Sequence, residues 1–229
     1  MSIDEKESEA SFMQAKTVKL RRTAPVQAQI PAAIPHPPKT MELERLSLGE
    51  TTTVVMRAIK KIHIDALHDY FEMACDKQPN GTAVICGSSR LTYAELDRRA
   101  NRLARLLIAS GIVEGNPIGI FLERSLDTYV ALLGVLKAGA AFVPLDPSFP
   151  SDRVSFIAED AGLQAFLTTS TLREKTSELP CPVIELDQIT EELADQSDAR
   201  PQVRVNPASL CYIIYTSGTT GRPKGVAVS

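Results

Sequence analysis

The sequence has little of what several protein classes require. It has no surplus of one charge: 25 Lys and Arg against 28 Asp and Glu leave a formal net charge of -3. A nucleic-acid binder more often carries a strong basic excess. No apolar run approaches the roughly 20 residues that cross a bilayer as a helix. The longest stretches, such as 130–144, are interrupted by Gly, Lys and Pro. The first ten residues, MSIDEKESEA, are acidic and polar, unlike the basic-then-apolar start of a secretory signal. These absences argue against nucleic-acid and membrane partners and predict a cytoplasmic protein.

Cysteine and histidine are also sparse. Cys75, Cys86, Cys181 and Cys211 stand far apart, with no CxxC pair and no neighbouring His. A metal site needs ligands clustered at short spacings, so the cysteines read as buried, reduced thiols acting as small apolar residues. No residue is assigned to a metal. His36 lies among prolines, and His63 and His68 flank a helix, so none is placed in a chemical role.

What is present divides into two parts. Residues 1–58 carry Pro25, Pro31, Pro35, Pro37 and Pro38, acidic residues over 4–9, and a basic patch of Lys16, Lys19, Arg21 and Arg22. Prolines at this density sustain neither a helix nor a central strand, and the composition predicts a flexible, solvated leader. Residues 59–229 read as globular. Ile64, Leu67, Tyr70, Phe71 and Ala74 recur at helical spacing, and 82–86 reads as a strand. Thr92 followed by Glu95 is a capping box opening a helix with Tyr93, Leu96, Ala100, Leu103 and Leu107 buried. Asp97, Arg98, Arg99, Arg102 and Arg105 mostly take its wet face, and Gly111 ends it.

Strands are then predicted at 117–122, 140–145, 165–169 and 183–186, and helices at 125–138 and 151–161. An acidic connector, 187–200, leads to a fully buried strand at 209–215. Strands alternating with helices at this spacing imply an α/β fold: a largely parallel sheet with helices on both faces.

Directly after the last buried run stands Thr216-Ser217-Gly218-Thr219-Thr220-Gly221-Arg222-Pro223-Lys224-Gly225. Glycines let backbone N–H groups approach an anion closely. Thr216, Ser217, Thr219 and Thr220 add hydroxyls, and Lys224 adds a mobile cation. Together they suit a polyphosphate, and a plain turn needs far fewer special residues. A Walker A loop would continue Gly-Lys-Ser/Thr into a helix. Here Pro223 and Gly225 occupy those flanking positions, and the chain after Lys224 reads as a strand.

YTSGTTGRPKGV, at 215–226, resembles the phosphate loop of the adenylate-forming (AMP-dependent synthetase/ligase) superfamily. Leu91-Thr92-Tyr93-Ala94-Glu95-Leu96 and the stretch 136–147 (LKAGAAFVPLDP), followed by Phe149-Pro150 and Arg153, are similar to core motifs of nonribosomal peptide synthetase adenylation domains. The resemblance covers about 62–229 and implies the N-terminal portion of the adenylate-forming fold. It further implies that ATP is a substrate, with Mg2+ in the complete enzyme. An amino acid or other carboxylate attacks the α-phosphate, and the acyl group passes to phosphopantetheine on a carrier-protein domain. By resemblance, Thr216, Ser217, Gly218, Thr219, Thr220, Gly221 and Lys224 hold the β- and γ-phosphates, and none acts as a nucleophile. The two earlier motifs are expected to serve structure.

Three readings stay open at this point: a fragment of an amino-acid-activating adenylation domain, a fragment of an acyl- or aryl-CoA ligase, and a non-enzymatic binding remnant. Because the specificity pocket and catalytic lysine of the family fall after the loop, the chain alone is expected to show no amino-acid-dependent pyrophosphate exchange.

Overall fold

The computed structural model describes residues 66–176, 178–216 and 222–229. The boundary expected at residue 58 and the leader before it therefore lie outside the described residues. Helix α1 (Leu67–Lys77) precedes a small antiparallel hairpin, β1 (Thr82–Cys86) and β2 (Ser89–Thr92). The hairpin forms its own two-stranded sheet rather than joining the parallel one.

Helix α2 (Tyr93–Ala109) starts where the sequence places it. The Glu95 N–H donates to Thr92 Oγ1 at 3.2 Å, and the Thr92 N–H donates to Glu95 Oε2 at 2.8 Å. Two of the donors orphaned at a helix start are thus satisfied. Gly111, at φ 89°, supplies the left-handed turn beyond its end. Leu96, Ala100, Leu103 and Leu107 are buried as expected, joined by Asn101, Ala104 and Leu106.

The rest alternates strand and helix. It runs β3 (Pro117–Ile120), α3 (Leu126–Lys137), β4 (Ala141–Pro144), α4 (Ser151–Asp160), β5 (Ala165–Thr168), a 3-10 turn (Ser170–Thr176) and β6 (Val183–Glu185). A short α5 (Thr190–Asp195), β7 (Tyr212–Thr216) and β8 (Lys224–Val228) follow. The six-stranded sheet has the order β6-β5-β3-β4-β7-β8, parallel throughout except for β8.

Right-handed crossovers that step in opposite directions put their helices on opposite faces. The step from β3 to β4 and the return from β4 across to β5 separate α3 from α4 in this way. One core cluster joins α2 and α3 to Ile118, Ile120, Ala165 and Leu167. The other joins Val154, Ile157 and Ala158 of α4 to Phe121, Val143 and Phe166. The strands alternate between them as the pleat requires. Gly119 makes this possible, because a Cβ there would lie 2.4 Å from Phe166 Cδ2.

Four local readings are corrected. Leu67 and Tyr70 of α1 are exposed (51% and 61%), whereas His68 and Cys75 are buried. The inward face is the one that brings Glu72 to Lys137, whose side chain is wholly buried. Lys137 Nζ also pairs with Asp97 Oδ1 of α2 at 2.8 Å, so α1 is seated by a charge pair as well as by Phe71 of the expected stripe, which packs on the core. Asp97 is therefore not on a wet face, nor is Arg105, whose Nε donates to the Ala199 carbonyl at 2.9 Å. The connector at 187–200 contains α5 and folds back on α1 and α2, with Arg200 meeting Asp97 at 3.1 Å and Asp76 at 2.9 Å. Strand β7 is not fully buried: Ile213 is, but Ile214 is 37% exposed.

Candidate phosphate-binding site

Strands β7 and β8 form an antiparallel hairpin in which Thr216 lies opposite Lys224 and Tyr215 opposite Gly225. The loop between them includes Ser217, Gly218, Thr219, Thr220 and Gly221, which lie outside the described residues. Thr216 and Lys224 mark its two ends, and both are exposed. The structure brings these two together across one rung of a ladder. A strand follows Lys224, where a Walker A loop would begin a helix.

Strand β7 runs parallel to β4, with Phe142 paired to Tyr212. Its C-terminal end therefore reaches the same sheet edge as the ends of β3, β4 and β5. In open α/β sheets that carboxyl edge, at the point where crossover direction reverses, is where ligands bind. A cleft of about 620 Å³ opens there, lined by Arg124 after β3, Asp146 and Ser148 after β4, and Lys175 from the 3-10 turn. Asp146 belongs to the 136–147 motif. The Ser148 N–H donates to its carboxylate at 2.8 Å, and hydrogen bonds from Ser148 hold its pKa below the usual carboxylate range. Lys175 Nζ donates to the Pro147 carbonyl at 2.6 Å.

The earlier motifs do structural work. Thr92 and Glu95 cap α2. Gly139, at φ 76°, turns the chain from α3 into β4, and its carbonyl accepts the Gly115 N–H at 2.8 Å. Sequence reasoning missed Asp160, whose carboxylate accepts a hydrogen bond from the Tyr215 hydroxyl at 2.6 Å. Burial first, and the neighbouring carboxylate second, push the Tyr215 phenol well above its ordinary value. A single acidic residue at a helix end carries no signal by itself; its partner is 55 residues away. The cysteines are free, with Cys75 buried and the other three half-buried. Among the described residues no helix is long and apolar enough to cross a membrane.

Residues 71–229 match the family model described as AMP-binding enzyme. The chain belongs to this family. Among curated relatives, tyrocidine synthase 2 of Brevibacillus parabrevis is 42% identical over 160 residues, covering 70% of this chain and 4% of that protein. Surfactin synthase subunit 2 of Bacillus subtilis (strain 168) is 43% identical over 165 residues, covering 71% of this chain and 4% of that protein. The chain thus spans only a small fraction of these relatives' length.

Among solved structures, the nonribosomal peptide synthetase FmoA3 in its alpha-methyl-L-serine-AMP bound form aligns with a TM-score of 0.64 at 33% identity. The alignment covers 72% of this chain and 18% of that one. Together these matches make the described region the N-terminal part of a nonribosomal peptide synthetase adenylation domain, an α/β unit with the mostly parallel sheet expected from the sequence.

Proposed function

We propose that the β7–β8 hairpin grips the pyrophosphate end of ATP in amino-acid activation, in which a carboxylate displaces pyrophosphate to form an aminoacyl adenylate. The observation that carries this is the pairing of exposed Thr216 with exposed Lys224 at the carboxyl edge of the sheet. Lys224 places a compact charge, and Thr216 a hydroxyl, at the two ends of a segment containing Ser217, Gly218, Thr219, Thr220 and Gly221. This is donor chemistry suited to phosphate oxygens. Neutralising the charge that builds on the departing pyrophosphate is the help such a group gives; no protein nucleophile is needed.

Among the described residues no three His, Cys, Asp or Glu side chains gather as a metal cage. A magnesium ion bound with ATP would neutralise the phosphate charge. The chain's relatives support an amino acid as the carboxylate and a carrier-protein phosphopantetheine as acceptor, since the tyrocidine and surfactin synthases share 42% and 43% of aligned residues with it.

Competition against MgATP tests the proposal on the full chain. Pyrophosphate, which presents the groups the hairpin holds, should displace MgATP, and AMP should compete at least about tenfold less well, the cost of losing a charge-assisted contact. AMP competing as well as pyrophosphate would contradict it.

A further inference from the structure

The far end of β7 is weakly held by the sheet. Its pairing with β4 is at Tyr212, the first residue of the strand, and on its other side, among the described residues, stands β8. Residues 224–227 of β8 are all exposed. Elements with so little burial open locally at low cost, yet this end carries Thr216 and Lys224.

Beyond Ile213, which is buried in the α4-side cluster, Tyr215 is the described residue that ties this end to the core. Tyr215 lies opposite Gly225, and a Cβ on Gly225 would stand 3.0 Å from Tyr215 Cζ and 3.0 Å from Ile213 Cγ2. Bare backbone at 225 is what lets the ring lie across the hairpin without being pushed aside. The ring packs against the cluster formed by Val154, Ile157 and Ala158 of α4. Its hydroxyl then donates to Asp160 Oδ2 at 2.6 Å. Asp160 is the last residue of α4, where a carboxylate faces the negative end of the helix dipole. The helix gains nothing from an acid there, whereas a short bond from a phenol to a carboxylate is a strong one.

We propose that Asp160 and Tyr215 clamp the base of the hairpin to α4 and thereby position Thr216 and Lys224 for phosphate binding. Both are positioning residues: Tyr215 adjoins the ligand-facing pair, and Asp160 acts through Tyr215. The clamp rests on the reading of this hairpin as an ATP-phosphate site, and its test separates the two.

The test follows backbone amide hydrogen exchange by NMR on the full chain without nucleotide, and MgATP affinity by calorimetry on the same samples. Tyr215→Phe keeps the ring and removes the hydroxyl; Asp160→Ala removes the acceptor. Each should speed exchange at Lys224 about tenfold, the loss of one hydrogen bond to a charged group, while Ile118 in β3 is unchanged. Asp160→Asn, whose amide oxygen still accepts the hydroxyl, should stay close to the parent chain. The double variant should be no worse than either single one, the mark of a shared interaction. MgATP affinity should fall in the same order. Unchanged exchange at Lys224 in Tyr215→Phe overturns the clamp whatever ATP does. Exchange that responds in a parent chain that binds no MgATP supports the clamp and overturns the phosphate reading instead.

Discussion

Tyr215 shows how a single residue serves both fold and site. Its ring lies close against Gly225, its hydroxyl meets Asp160, and its neighbour Thr216 lies opposite Lys224. Its phenol pKa is raised in the native state, by burial first and Asp160 second. A raised pKa stabilises the fold fully below the unfolded phenol's value, about pH 10, and that stability is lost as pH rises beyond it. Cys75 and Cys181, each pushed up to about 11 by burial, act in the same direction. Urea unfolding should therefore show stability declining from about pH 8.5, where the unfolded thiols begin to ionise, and more steeply above about pH 10, with a shallower decline above about pH 10 in Tyr215→Phe than in the parent chain. Identical alkaline limbs would show that the phenol is not held protonated by the fold.

At the scale of elements, α1, α2 and α3 meet around a buried cation. Lys137 on α3 is fully enclosed and pairs with Glu72 on α1 and Asp97 on α2, while Arg200 closes the group from the connector. Removing one partner from a buried pair leaves uncompensated charge, so Lys137→Met should cost about 3 kcal/mol of stability, measured by urea unfolding. A loss below about 1 kcal/mol would place the group among exposed pairs of little worth. This arrangement also explains which parts of the fold were legible in the sequence. The start of α2 was readable because Thr92 and Glu95 answer each other within one turn, and the alternation of strands and helices from β3 to β6 because each element carries its own period. The inward face of α1 was not, since Lys137 lies 65 residues from Glu72. The 3-10 turn and the six-residue α5 are too short to show a period. The apolar run at 209–215 suggested complete burial, yet along the pleat Ile213 packs on the α4-side cluster while Ile214, on the opposite face, stays open among the described residues. In the candidate site, the hydroxyls, glycines and Lys224 were visible as a string of letters. The pairing of Thr216 with Lys224 was not, since both were read as loop between strands at 209–215 and 225–229, and the link to Asp160 depended on how α4 crosses the sheet.

For the whole molecule, right-handed crossovers of opposite direction put α3 and α4 on opposite faces and bring the chain's polar loops to one carboxyl edge. The hairpin with Thr216 and Lys224 stands on that edge, within the residues 71–229 that match the family model. Whether this hairpin holds the phosphates of ATP is decided by calorimetric titration of MgATP into the full chain and into Lys224→Ala. The parent chain should bind measurably, and the variant should bind at least about tenfold more weakly, the loss of a charged hydrogen-bond donor. Equal affinity in the two, with both folded, would mean that the hairpin does not hold the phosphates.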